Sequence, residues 1–266
     1  MKLELEGRTI YAATGGRPFD ARKPAMLFIH GAGQDHTGWQ LPARYFAWHG
    51  HGTLAVDLPG HGRSDGPVLP TIGAAASWVG RVMDTVGVAT AAIVGHSMGA
   101  AIAMEAAATF PERISRLALL GSGLSMPVNE ALLTSARAAP EAAIAMIVDW
   151  GHGTRAKFGG NPAPGLWMMG GAQALLARSR PGVLYADLAA CNGWTTGDAA
   201  AGRIRCPALV VIGARDAMTP PRAGQALARR LTRCRTVSIA ECGHMPMAEA
   251  PEATLDALIE FFGPAA

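Results

Sequence analysis

The stretch Ala91-Ala92-Ile93-Val94-Gly95-His96-Ser97-Met98-Gly99, running on into Ala100-Ala101-Ile102-Ala103-Met104, decides the fold of this chain. Four apolar residues in a row that stop at Gly95 read as a strand buried on both faces. From Gly99 the pattern is helical until Phe110-Pro111 ends it, because the residue before a proline is pushed out of the helical region. Between the two lies a G-x-S-x-G corner that admits only small neighbours. It lifts the Ser97 hydroxyl over the sheet edge and sets it at a helix amino terminus, where backbone N–H groups favour a developing negative charge.

The same alternation repeats on either side. Ala25-Met26-Leu27-Phe28-Ile29 stops at His30-Gly31, and Thr53-Leu54-Ala55-Val56 stops at Asp57. Leu117-Ala118-Leu119-Leu120 stops at Gly121, and Ala208-Leu209-Val210-Val211-Ile212 stops at Gly213. Thr236-Val237-Ser238-Ile239 supplies a last strand, and residues 252–262 a closing helix. Short apolar strands separated by helices predict a doubly wound, mostly parallel α/β sheet. Residues 122–201 break the rhythm, with helical pieces punctuated by prolines and no buried strand. They are expected to form an inserted helical cap over the carboxyl edge of the sheet, where open α/β folds bind ligands. Residues 1–121 and 202–266 are expected to form the core.

Composition narrows the function. The chain has 266 residues, of which 50% are hydrophobic and 16% charged, which excludes disorder and fits one well-buried core. The net charge of +3 comes from interspersed residues, with no basic run or aromatic-basic stripe, so no nucleic acid is expected as a partner. No apolar window is long enough for a membrane span, and Lys2, Glu4 and Glu6 stand where an export signal needs apolar residues. A cytoplasmic protein with reduced Cys191, Cys206, Cys234 and Cys242 is the expectation. His49 and His51 are the only close histidine pair. With no carboxylate or cysteine beside them they read as a surface loop, and no metal or other cofactor is implied.

Serine is a weak nucleophile until a base takes its proton and a third group orients the base. His244, in Cys242-Gly243-His244-Met245-Pro246, follows the last strand, and Asp216, in Gly213-Ala214-Arg215-Asp216, follows the strand before it. Taken alone, each is an ordinary loop residue. Together with Ser97 they stand at the carboxyl ends of three strands, hence on one edge. The backbone N–H groups of Met98 and of Ala32, in His30-Gly31-Ala32-Gly33, are the candidate donors to an oxyanion. His30 reads as a residue that holds its loop by hydrogen bonding.

With these residues in place, the chain resembles the α/β-hydrolase family, in the branch of serine hydrolases with a helical cap. The resemblance covers almost the whole length. Besides the corner at Ser97, it is carried by His30-Gly31, Trp39, Asp57-Leu58-Pro59-Gly60-His61-Gly62-Arg63-Ser64, and Gly243-His244 with Glu249 and Pro251. It implies Ser97 as nucleophile, His244 as base and Asp216 as its orienting partner. Relatives that remove halogen or open epoxides carry aspartate at the corner, which speaks against those chemistries here.

Met218 and Met245 flank the candidate catalytic groups. With Trp150 and Trp167 of the cap they suggest an apolar, deformable pocket for a hydrophobic or aromatic small molecule. The expectation is a serine hydrolase that cleaves a small carboxylic ester through an acyl-enzyme. The same triad serves a carbon–carbon bond hydrolase, a lactonase or a thioesterase, and a hydrolase fold can also serve as a ligand sensor. Nothing in the sequence sets the oligomeric state.

Overall fold

The computed structural model describes residues 1–160 and 166–263. Residues 161–165 of the expected cap and 264–266 of the expected core lie outside the described residues. Eight strands form one sheet: β1 (Lys2–Leu5), β2 (Arg8–Ala13), β3 (Ala25–Ile29), β4 (Gly52–Val56), β5 (Ala91–His96), β6 (Ile114–Leu120), β7 (Ala208–Gly213) and β8 (Cys234–Ile239). Their order across the sheet is β1-β2-β4-β3-β5-β6-β7-β8. β1 and β2 pair antiparallel, as do β2 and β4, and every pairing from β4 to β8 is parallel.

The six apolar runs of the sequence become β3 to β8. Their apolar faces alternate even where every residue is buried. In β3, Ala25, Leu27 and Ile29 join the apolar cluster on one side of the sheet, and Met26 and Phe28 join the cluster on the other. The first side is covered by α2 (Ile72–Thr85) and α3 (Met98–Thr109), the second by α1 (Gln40–Trp48). β1 and β2 lie outside the buried-run reading because they alternate instead. Lys2-Leu3-Glu4-Leu5 turns Leu3 inward and its charges outward, and Glu6 (φ 53°) with Gly7 (φ 72°) makes a two-residue left-handed hairpin turn. The surface-loop reading of His49 and His51 is half right. His49 stacks on Tyr45 in solvent, whereas His51 is buried edge-on against Phe46.

Between β6 and β7 the described residues form helices only: α4 (Glu130–Ala138), α5 (Pro140–Gly151), α6 (Thr154–Lys157), α7 (Met168–Ala177), α8 (Val183–Asn192) and α9 (Gly197–Arg203). α4, α5, α7 and α8 bury a separate apolar cluster around Leu132, Ile144, Val148, Leu176, Leu184 and Leu188. α9 behaves differently: Ala200 and Ala201 pack in the sheet's own core and the helix lies along α3. The chain just before it is pinned there by Trp194, whose Nε1–H donates to buried Glu105 of α3 at 2.8 Å. After β7 come α10 (Pro221–Arg230), α11 (Pro246–Glu249) and α12 (Pro251–Phe262), the last packing beside α1.

The start of α3 lies against the sheet backbone to backbone. A Cβ on Gly99 would lie 2.2 Å from the Ile29 carbonyl oxygen, and one on Gly95 would lie 2.2 Å from the Gly99 carbonyl oxygen. Both obstacles are backbone, so neither can step aside. Gly171, on the exposed face of α7, has open space where its Cβ would be. The two positions therefore respond oppositely to alanine. Gly99→Ala is expected to destabilise the fold by about 2–3 kcal/mol through overpacking. Gly171→Ala is expected to stabilise it by about 0.5–1 kcal/mol through helix propensity. Urea unfolding of both variants checks the pair of signs.

Candidate active site

Ser97 sits between β5 and α3 with φ 52° and ψ −120°, a backbone conformation that costs a non-glycine residue roughly 1–3 kcal/mol. The neighbouring glycines let α3 start immediately, so the serine caps the helix while its own side chain makes no capping hydrogen bond. Its N–H donates to the Leu120 carbonyl at 2.9 Å, which ties the corner to β6.

Asp216 and His244 meet above the ends of β7 and β8. His244 Nδ1 lies 2.8 Å from Asp216 Oδ2, and both side chains are almost wholly buried. The other carboxylate oxygen, Oδ1, accepts the N–H groups of Met218 (2.9 Å) and Thr219 (2.7 Å), which fixes the plane of the carboxylate. With Nδ1–H donated to Asp216, the remaining ring nitrogen of His244 is left to take a proton. Burial lowers the basicity of His244, but the facing Asp216 carboxylate outweighs it and the net shift is upward. The loop is held by Glu249, whose carboxylate accepts the N–H groups of Gly243 (3.0 Å), Met245 (3.0 Å) and, from the cap, Gly153 (2.8 Å). The His244 N–H donates to the Gly151 carbonyl at the end of α5, 2.8 Å away. The Glu249 and Gly243 of the sequence pattern thus hold the position of His244.

Two more buried histidines are structural. His30 Nδ1–H donates to the Gly31 carbonyl (2.9 Å) and its Nε2 accepts the Leu58 N–H (3.1 Å). That pattern requires a neutral ring, and burial lowers its pKa to about 4. His96 Nε2–H donates to the His244 carbonyl at 2.7 Å, and burial lowers its pKa to about 3. His30 therefore holds its loop as the sequence suggests, and His96 braces the His244 backbone.

A cavity of about 290 Å³ opens between the sheet edge and the cap, and Ser97, His244 and Ala32 all line it. Its walls are largely apolar, with Met126, Val128, Ile147, Val148, Leu175 and Leu176 from the lobe and Met218 and Met245 from the core loops. Gln34, Ser125, Thr219 and Arg222 supply polar groups, and none of its described lining residues is acidic. The N–H groups of Ala32 and Met98 make no hydrogen bond to another described residue.

Two of the four pocket residues expected from sequence are misplaced. Met218 and Met245 line the cavity, but Trp150 and Trp167 do not. Trp150 is half-buried against the lobe's own apolar cluster, and Trp167, just ahead of α7, stands 61% exposed. Val148, Gly151 and His152 line the cavity, and at about 100° per residue Trp150, one or two positions from each of them, faces away from that side of α5. His152 at the end of α5 is buried and lines the cavity, with its Nδ1–H donated to the Val148 carbonyl at 2.8 Å.

Asp35, His36 and Asp57 form the one cluster of potential metal ligands among the described residues. Its oxygens already have partners. Asp57 accepts the His36 N–H (2.7 Å), its ring nitrogen (2.8 Å) and the Arg63 N–H (2.9 Å), and Asp35 accepts the Thr37 N–H (2.8 Å) and pairs with Arg178 (2.9 Å). The cluster serves as a turn scaffold. The four cysteines are free thiols, and burial pushes the pKa of Cys191 and Cys242 upward. No described helix is long and apolar enough to cross a membrane.

Comparison with known proteins agrees with this architecture. The model of the alpha/beta hydrolase family matches residues 26–257. The pimeloyl-[acyl-carrier protein] methyl ester esterase of Chromobacterium violaceum is 32% identical over 254 residues, 89% of this chain and 93% of that protein. A 2-hydroxy-6-oxononadienedioate/2-hydroxy-6-oxononatrienedioate hydrolase of Burkholderia vietnamiensis is 37% identical over 110 residues, 39% of this chain and 38% of that protein. The chain matches less than half the length of this and similar partial relatives. The enol-lactonase of Burkholderia xenovorans superposes with a TM-score of 0.86 over 98% of this chain and 99% of that one, at 23% identity. Sheet order, strand-end loops and family match lead to one assignment: the chain belongs to the α/β-hydrolase family.

Proposed function

We propose that the protein is a serine hydrolase that cleaves a small, hydrophobic or aromatic carboxylic ester through an acyl-enzyme intermediate. The observation that carries this reading is the joint placement of a strained Ser97 and an Asp216-bonded His244 on one apolar cavity. The methyl ester esterase matched over nearly its whole length supports ester cleavage in particular.

In the proposed reaction His244 takes the Ser97 proton as Oγ attacks the ester carbonyl carbon. The resulting imidazolium is stabilised by Asp216, which also holds the tautomer that leaves Nε2 free to act. The N–H groups of Ala32 and Met98 receive the negative oxygen, Met98 as the first residue of α3 and so at the positive end of its dipole. The tetrahedral intermediate collapses, and His244 returns its proton to the leaving alcohol. Water, deprotonated by the same imidazole, then releases the acid and restores Ser97. The apolar walls favour an acyl or aryl group without charge near the scissile bond.

Four outcomes are expected. Ser97→Ala should fold normally and lower ester turnover by several orders of magnitude, on the order of 10⁵-fold or more. A folded Ser97→Ala variant with near-wild-type turnover would end the serine mechanism. Because His244 must be neutral to act and its pKa is raised, kcat/KM should fall on the acid side with a midpoint above the ordinary value of 6.5. Asp216→Asn should lower kcat by roughly 10⁴-fold and move that limb to lower pH. A cavity of about 290 Å³ has room for on the order of ten non-hydrogen atoms. Among p-nitrophenyl esters, acyl chains of about four to eight carbons should therefore be cleaved best. If folded wild type cleaves none of them but does cleave a lactone, a thioester or a carbon–carbon bond, the ester assignment is replaced by that one.

A further inference from the structure

The carboxylate of Asp187 is buried where the cap meets the core, away from the Ser97, Asp216 and His244 side chains. It lies on α8, and its Oδ2 accepts the backbone N–H of Gly33 at 2.8 Å. The same oxygen lies 2.7 Å from His61 Nε2, while His61 Nδ1 lies 3.0 Å from the Pro59 carbonyl. A carboxylate and a carbonyl only accept, so both ring nitrogens of His61 must donate, and a ring with two N–H donors is an imidazolium. The side chains of His61 and Asp187 are 2% and 4% exposed, so each charge relies on the other.

Gly33 immediately follows Ala32, whose N–H is the proposed oxyanion donor. Gly33 has φ 66°, and a Cβ there would lie 2.9 Å from Leu184 of α8, so the loop fits directly under that helix. We infer that Asp187 is a positioning residue for the oxyanion loop: clamped by the His61 imidazolium, its carboxylate fixes the Gly33 N–H and thereby the aim of the Ala32 N–H. This rests on the serine-hydrolase reading for its catalytic consequence, but the clamp itself does not.

The groups facing His61 come from several elements. Asp187 of α8 stabilises its charge, as does Asp57 at the end of β4. His30, at the end of β3, stacks obliquely at 4.8 Å and is itself neutral. Arg180 donates to the Ser64 carbonyl at 2.8 Å on the far side of the same loop, and Cys191 on α8 remains a protonated thiol. Burial disfavours the charged ring, but the carboxylates outweigh it and the net pKa is raised. The clamp is therefore complete below that raised value and opens as pH rises through it, when one ring nitrogen loses its proton.

The test compares the full-length wild type with Asp187→Ala and Asp187→Asn. In the wild type the Gly33 amide should exchange slowly by NMR, and Asp187→Ala should speed it on the order of tenfold or more. With a p-nitrophenyl ester, kcat should fall on the order of 10- to 100-fold in Asp187→Ala, with KM changed less than about threefold. Asp187→Asn keeps the shape but removes the anion, so it tests the charge even if the alanine variant does not fold. Its alkaline limb of kcat should move to lower pH, while the acid limb set by His244 stays in place. Wild-type Gly33 exchange in Asp187→Ala, or an unshifted alkaline limb in Asp187→Asn, would overturn the proposal. If the wild type cleaves no ester, the esterase reading fails by itself, and the Gly33 exchange rate still decides the clamp.

Discussion

The fold and the site both depend on one steric constraint, the backbone-to-backbone contact between the start of α3 and the end of β3. Gly99 lets the two approach until no Cβ would fit, Gly95 does the same between β5 and α3, and the chain between the two glycines has room only for a corner. Ser97 takes up the resulting strain at φ 52°. The rest of the structure stabilises that corner. Ala100, Ala101, Ile102, Ala103 and Met104 of α3 are all buried in the core, so the helix cannot retreat from the sheet to relax the serine. The strain of one residue is small against the burial of such a helix, where each fully buried large apolar side chain contributes roughly 1.5–3 kcal/mol.

That constraint also explains why so much of the fold is legible in the sequence. Strands buried on both faces have to be short apolar runs, and the corner has to be glycine-rich, so β3 to β8 and Ser97 stand out without any knowledge of contacts. Asp216 and His244 are legible for a related reason, since a parallel sheet collects the ends of its strands on one edge. The β1–β2 hairpin is harder to see because one face is wet, and its charged residues resemble any exposed segment. The cap is harder still. Its helices face their own small core, the cavity and solvent in turn, so tryptophan content does not tell which side a residue is on. Trp150 and Trp167 turn away from the cavity, while Ile147, Leu175 and Leu176, with nothing distinctive in sequence, line it. Asp187 is invisible for a different reason, because His61 and Gly33 are more than a hundred positions away along the chain.

Four of the buried histidines near this edge, His30, His61, His96 and His244, differ in their partners, which decide the charge where burial is common to all. His30 and His96 each face one carbonyl acceptor, and burial keeps them neutral. His244 faces one carboxylate and keeps a free nitrogen, the arrangement of a base. His61 faces a carboxylate and a carbonyl at once, which only a charged ring satisfies. Sequence alone gives four histidines at or after strand ends; the acceptor on each nitrogen distinguishes them.

The lobe is accordingly more than a cover. Its backbone carbonyl at Gly151 accepts the N–H of His244, its Gly153 N–H shares Glu249 with that loop, and its Asp187 holds the loop that carries Ala32. Arg178 and Arg180 add ties to Asp35 and to the Ser64 carbonyl. Each of these contacts ends on a loop of the sheet edge, and none ends on Ser97 itself, which the core alone positions. Ser97 is therefore fixed by the sheet, whereas His244 and the loop that carries Ala32 are fixed jointly by sheet and lobe. Side chains that face the cavity, such as Ile147 and Leu175, are separate from those ties. Their replacement can change which small molecule fits while the hydrogen bonds that hold Ser97, His244 and the Ala32 loop remain, so one framework can accommodate different ligands in turn.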